Sequence, residues 1–138
     1  MATLNLFNSF LEALAEKKHN LGSDNLTVVL CNSSNAPVAG NSVLTDLTVI
    51  DHSNLSSRVI TTTSSSQTAG TYKLVLQDLT LTASGAVPTF RYIAIYNETA
   101  DNDELIGWYD YGSDITLQNS GDTFTIDFDD SNGVFTIP

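Results

Sequence analysis

The sequence predicts a mainly β chain: an antiparallel β-sandwich or barrel-like sheet of seven to eight strands, with one amphipathic helix at the N-terminus. Three observations lead there. Along residues 105–138 apolar and polar side chains alternate, with Phe124, Ile126 and Phe128 on one side and Thr123, Thr125 and Asp127 on the other, which is the period of a strand. Turn signals cut the same stretch at Asn119-Ser120-Gly121-Asp122 and Asp130-Ser131-Asn132-Gly133. Near the start, Leu4, Phe7, Phe10, Leu11 and Leu14 recur instead at three- and four-residue spacing.

Residues 3–19 read as the helix. Thr3 is placed to cap it, Lys17, Lys18 and His19 put positive charge at its end, and Gly22 stops it. The stripe either packs on the sheet or docks on a neighbouring subunit. Residues 24–32 form the first strand, apolar on both faces through Leu26, Val28 and Leu30 on one side and Val29 and Cys31 on the other, so it should be central and covered twice. A loop follows over 33–42, and 43–50 fits a strand or a short helical turn equally.

The next stretch turns polar. A strand is placed at 58–63, and the serines at 64–66 either connect it to a second strand at 71–77 or form a loop that orders on a partner. Residues 79–82 continue that strand after a bulge. Residues 89–96 make the most aromatic strand, with Phe90, Tyr92 and Tyr96 on one face, and 105–111 pairs back against it across the acidic loop 98–104. The Asn132-Gly133 turn then joins two final strands into a hairpin, placing Phe135 and Ile137 beside Phe124, Ile126 and Phe128.

At 138 residues the chain is one domain by size, with the helix in 1–22 and the sheet in 23–138. Its single cysteine, Cys31, excludes an internal disulfide and reads as a small buried hydrophobe. Net charge is −11, and ten of the sixteen carboxylates fall between Glu98 and Asp130, which argues against a nucleic-acid partner and for a neutral or basic one. No secretory leader or membrane-length apolar run is seen, so a soluble cytoplasmic product without a membrane partner is expected. Ser and Thr make up 32 residues, an enrichment that suits exposed strands more than an enzyme interior.

Candidate sites are few. The loop Glu98-Thr99-Ala100-Asp101-Asn102-Asp103-Glu104 offers oxygen ligands but lacks the central glycine and the trailing bidentate Glu of a calcium loop, so it reads as solvated acid. The segment from Asp127 to Gly133 has its glycine one place late for that pattern and reads as a turn. His19 and His52 stand in no nucleophile motif, and there is no phosphate loop or dinucleotide fingerprint. A non-enzymatic protein with no cofactor and no metal is expected. The aromatic group Trp108, Tyr109 and Tyr111 is the other feature of note. Alternation sends Trp108 to the face opposite Tyr109 and Tyr111, so one set is core and the other is available to a partner.

Three runs carry a resemblance: Phe90-Arg91-Tyr92-Ile93-Ala94-Ile95-Tyr96-Asn97, then Leu105-Ile106-Gly107-Trp108-Tyr109-Asp110-Tyr111-Gly112-Ser113, then Gly121-Asp122-Thr123-Phe124-Thr125-Ile126-Asp127-Phe128. Together with His19-Asn20-Leu21, Leu26-Thr27-Val28-Val29-Leu30 and Val43-Leu44-Thr45-Asp46-Leu47, they resemble small virion structural proteins of tailed bacteriophages, several of which are capsid decoration, or cement, proteins. The resemblance implies a homotrimer on the capsid surface, assembled in the host cytoplasm, that stabilises the shell by bridging copies of the major capsid protein. Phe7, Phe10, Leu11, Leu14, Trp108, Tyr109 and Tyr111 are its expected interface residues, with the Ser/Thr-rich middle beside them. The alternatives are a tail or head-fibre module that binds a host receptor or glycan through the aromatic strands, and a structural component of the tail.

Overall fold

The computed structural model describes residues 3–138. Ten strands form three antiparallel sheets: β1 (Asn5–Leu6), β2 (Leu26–Cys31), β3 (Val59–Ile60), β4 (Thr62–Thr68), β5 (Thr71–Leu76), β6 (Leu79–Thr82), β7 (Val87–Asn97), β8 (Leu105–Leu117), β9 (Thr123–Ile126) and β10 (Phe135–Ile137). The largest sheet runs β1-β8-β7-β2-β3, a second runs β10-β5-β4, and β6 pairs with β9 alone. The mainly β reading therefore holds, with more strands than expected, of which β7 and β8 run longer than the sequence reading placed them.

The strands around β7 follow from burial. All six residues of β2 are buried, which is what two apolar faces require, and β7 lies against it in unbroken register from Leu26↔Asn97 to Cys31↔Tyr92. One face of this sheet supplies Leu26, Val28, Leu30, Ile93, Ile95, Ile106 and Tyr109 to the larger apolar cluster, where they join Leu74 and Leu76 of β5, Leu81 of β6 and Ile126 of β9. The opposite face is covered separately, by Phe7, Val29, Ala94, Tyr96 and Leu105 with Leu44, Leu47 and Trp108 packed on them. Trp108 thus lies opposite Tyr109 and Tyr111, as alternation requires. Burial also pushes the Cys31 thiol up to about 11.

Phe90 and Tyr96 do not share a face, contrary to the even alternation expected of β7. Phe90 joins Ile93 and Ile95 in the larger cluster, whereas Tyr96 joins Ala94 in the smaller. The register against β8 is broken between Phe90 and Tyr92, where two steps along β7 face five along β8 from Asp110 to Ile115, and this irregularity changes which side the following side chains take.

The N-terminal helix is far shorter than 3–19. Only α1 (Phe10–Ala15) is helical; Ser9 stands at its N-cap without a side-chain bond, and Lys17 adopts φ 69 just past its end. Before it the chain is extended, with Asn5 and Leu6 paired to Trp108 and Gly107. Gly107 permits this, because a Cβ there would stand 2.7 Å from the Asn5 carbonyl oxygen. Phe7 is 2 % exposed and Phe10 fully buried, yet they serve the two opposite clusters. A continuous helix would hold them on one stripe, so burial on both sides of the β8 edge overrides local periodicity.

Two further pairings differ from the sequence reading. The serines at 64–66 are not a connection: they form the middle of β4, which makes a hairpin with β5 through Ala69 and Gly70, at φ 52 and 87. Two successive positive φ values give the tight turn whose twist matches its flanking strands. The second difference is at the C-terminus, where β9 and β10 do not pair with each other. β9 pairs with β6, β10 with β5, so β6 does not continue β5. The Asn132-Gly133 turn forms, held by the Asp129 carboxylate, which accepts the Ser131 and Asn132 amides at 3.1 and 2.9 Å. It carries the chain between sheets rather than folding it back on one. Residues 43–50 resolve to a 3₁₀ turn, Leu44–Asp46, whose Asp46 carboxylate accepts the Ser42 and Val43 amides.

Candidate functional site

The strongest concentration of buried polar groups lies where β7 ends. Asn97 is fully buried, and its backbone amide donates to the Glu104 carbonyl at 2.9 Å, so the two side chains stand on the same face. The Asn97 side-chain oxygen accepts the Thr99 and Ala100 amides at 3.0 and 3.2 Å, tying down the start of the acidic loop. Its amide nitrogen donates to Asp24 Oδ2 at 2.7 Å and to His19 Nδ1 at 3.0 Å. Because that amide nitrogen has no lone pair to offer, His19 Nδ1 is the acceptor and the imidazole proton is on Nε2. Residues from three separate segments thereby meet around one amide.

His19 is 5 % exposed and Glu104 7 %, and within the described residues His19 Nε2 and Glu104 Oε2 have no hydrogen-bond partner. Burial lowers the His19 pKa, against the opposing pull of Glu104 and Asp24, so the imidazole is neutral near pH 7. Beside the cluster opens a cleft of about 850 Å³, bounded by residues 14–22 and by Asp24, Ser65, Tyr72 and Thr99 to Asp101. Its walls mix cations and acids, Lys17 and Lys18 against Glu16, Asp24 and Asp101, and present no single charge to a ligand. The Ser65 hydroxyl bonds the Tyr72 hydroxyl at 2.7 Å, and among the described residues neither histidine is hydrogen-bonded to it as an activating base would be. Among the described residues no three His, Cys, Asp or Glu side chains are grouped to hold a metal ion.

His52 has a different environment. Its Nε2 accepts the Leu30 amide at 3.1 Å, and Ile50 donates to the Leu30 carbonyl at 2.9 Å, so residues 50–52 complete the edge of β2. Burial holds His52 down to about 4, with Arg58 adding to the effect and Asp51 opposing it. The unfolded chain takes up that proton near 6.5, so the stabilisation is complete above 6.5 and is lost as pH falls from there toward 4. His19 contributes in the same direction. We expect the melting temperature to fall over that interval, and His52→Gln, whose amide oxygen can still accept from Leu30, to flatten the slope. An unchanged slope in that variant would remove His52 from the account.

The seven expected interface residues separate clearly. Phe7, Phe10 and Tyr109 are buried within their own chain, Leu14, Trp108 and Tyr111 are half-buried, and Leu11 alone is exposed, at 54 %. Phe7 and Trp108 meet with ring centroids 4.7 Å apart, and Tyr111 stands edge-on to Phe124 at 5.2 Å. Desolvation raises the Tyr111 phenol to about 12 and pushes Tyr109 higher still. The other exposed large apolar side chains are Leu6, Val38, Val49 and Val59. The polar cluster around Asn97 escaped sequence reading because its members are 73 and 78 positions apart. The one local signal was an Asn just before the loop, which is where a side chain captures the next two amides.

Comparison with protein-family models, with curated proteins and with solved structures finds no match to this chain. No helix among the described residues is long and apolar enough to cross a membrane.

Proposed function

We propose that this chain is a non-enzymatic structural subunit of a bacteriophage virion, a decoration protein that stabilises the capsid by bridging major capsid subunits. The supporting observation is where the resembling segments fall. Phe90 to Asn97 and Leu105 to Ser113 are the neighbouring long strands β7 and β8, and Gly121 to Phe128 contains β9, so the likeness lies in the scaffold itself. In this reading the five-stranded sheet stacks on the two smaller ones as a β-sandwich, since all three contribute to one apolar cluster. Its exposed elements then contact the shell.

A homotrimer would let three individually weak contacts act together, each docking event raising the effective concentration of the next. The net charge of −11 favours a neutral or basic shell surface over packaged nucleic acid. The aromatic groups give less support to a receptor- or glycan-binding module of a tail or head fibre, because Tyr96 and Tyr109 are buried and Trp108 packs at a tilt against Phe7. The test is to add the purified protein to phage particles lacking it and to heat both preparations. Bound protein that raises the temperature of DNA release supports the proposal; failure to bind, or binding without that rise, refutes it.

A further inference from the structure

β4 is an open edge. It is the outermost strand of the β10-β5-β4 sheet, seven residues long, with no strand of the described chain on its far side. The hydrogen-bond pattern shows which of its amides face outward. Leu74 lies opposite Ser65 on one side and Phe135 on the other, and its carbonyl accepts the Val134 amide at 2.8 Å. Leu74 therefore directs its backbone toward β10, and the Ser65/Leu74 pair is a non-bonded one in which Ser65 directs its N–H and C=O away from β5. By the same alternation Gln67 also faces outward, while Ser66 bonds inward to Lys73.

Strand edges are ordinarily blunted by charge, proline, bulges or shortness. β4 reads Thr-Thr-Ser-Ser-Ser-Gln-Thr, and apart from one bulge at its start it carries none of these. The surrounding sequence is equally distinctive. From His52 to Gln77 there is no Asp or Glu, although the chain has sixteen, and the charges present are those of Arg58 and Lys73. In space, Ser65 borders a cleft that also holds Glu16, Asp24 and Asp101, but Lys17 and Lys18 stand among them, so two copies would meet less repulsion along this edge than the net charge of −11 alone implies.

We propose that β4 is a docking edge for β4 of a second copy, the two strands pairing antiparallel across a two-fold axis. Centred on Ser65, the pairing lets the two Ser65 residues exchange both backbone hydrogen bonds and brings each Gln67 amide to the bulge of the other copy, where Thr63 is left without a register partner on β5. Facing hydroxyls add side-chain hydrogen bonds without like charges coming together. This contact is independent of the virion reading, and in a virion it would link trimers rather than build one.

Site-resolved amide hydrogen exchange on the full chain, from micromolar to millimolar protein, tests the pairing. The Ser65 and Gln67 amides should slow by about tenfold or more as concentration rises, while Ser66 stays protected throughout. Gln67→Pro removes an outward donor at a position where an edge strand tolerates proline. It also loses the bond from the Gly70 amide to the Gln67 side chain, so continued protection of Ser66 serves as the control for folding. In that variant Ser65 should exchange freely at every concentration, which also identifies a pairing tight enough to protect the wild type at micromolar protein. Fast exchange of wild-type Ser65 and Gln67 at millimolar protein, or Ser65 protection that survives Gln67→Pro, overturns the proposal.

Discussion

Phe10→Ala is expected to destabilise the protein by about 3–5 kcal/mol, the range for truncating a fully buried aromatic. For a chain of this length that corresponds to a fall in melting temperature of roughly 10–15 °C. Phe10 has no exposed surface, and its ring meets Phe135 edge-on at 5.2 Å and His19 at 5.3 Å. It therefore connects α1, the C-terminal strand β10 and the buried polar cluster, and the cavity left by alanine would open among elements that hold one another in place. Leu11, its neighbour, is 54 % exposed, and Leu11→Ala should change stability by less than about 0.5 kcal/mol. Thermal melts of the two variants separate the observed packing from a simple helical stripe, on which both residues would matter equally. Similar losses for both would mean that the N-terminal segment is packed differently.

Gly133→Ala should cost about 2–4 kcal/mol, although it adds a single methyl group far from the centre of the core. Gly133 has φ 77, which an L-residue adopts at a cost of about 1–2 kcal/mol. The added Cβ would also stand 2.6 Å from Lys73 Cγ and 2.7 Å from the Leu74 carbonyl oxygen. That oxygen accepts the Val134 amide, so it cannot retreat without loosening the junction of β10 with β5. Gly112 supplies the comparison: its φ is 79, but nothing lies within 4 Å of its Cβ position. Gly112→Ala should show the conformational cost alone. Equal urea midpoints for the two variants would argue that the close approach at Gly133 does not constrain the chain.

These two sites also mark how far the sequence could be read. Strands β2, β7 and β8 were legible because a strand buried on one or both faces needs the alternation or the apolar run that their residues display. The turn at Asn132-Gly133 was legible too, since positive φ is a local property. Which strands it would join was not, because the choice of β5 over β9 as the partner of β10 depends on packing of Phe135 against Phe10 and Tyr72, more than sixty residues away. The short helix has the same cause: Phe7 and Phe10 fit a helical stripe locally, and only the two faces of the distant β8 edge separate them. β4 was missed for a chemical reason, because a polar edge strand has no buried face to impose a pattern on its serines. In the Asn97 cluster only the bonds to the Thr99 and Ala100 amides are local, and those to His19 and Asp24 leave no pattern in the sequence, where a buried amide reads like any other loop Asn.

The most direct measurement of the proposed function is the number of copies per particle, obtained by quantitative mass spectrometry of purified virions against the major capsid protein. A decoration protein should be present at hundreds of copies, in a ratio near one to one or a simple fraction of it. A handful of copies per particle would contradict the capsid assignment and place the chain in the tail.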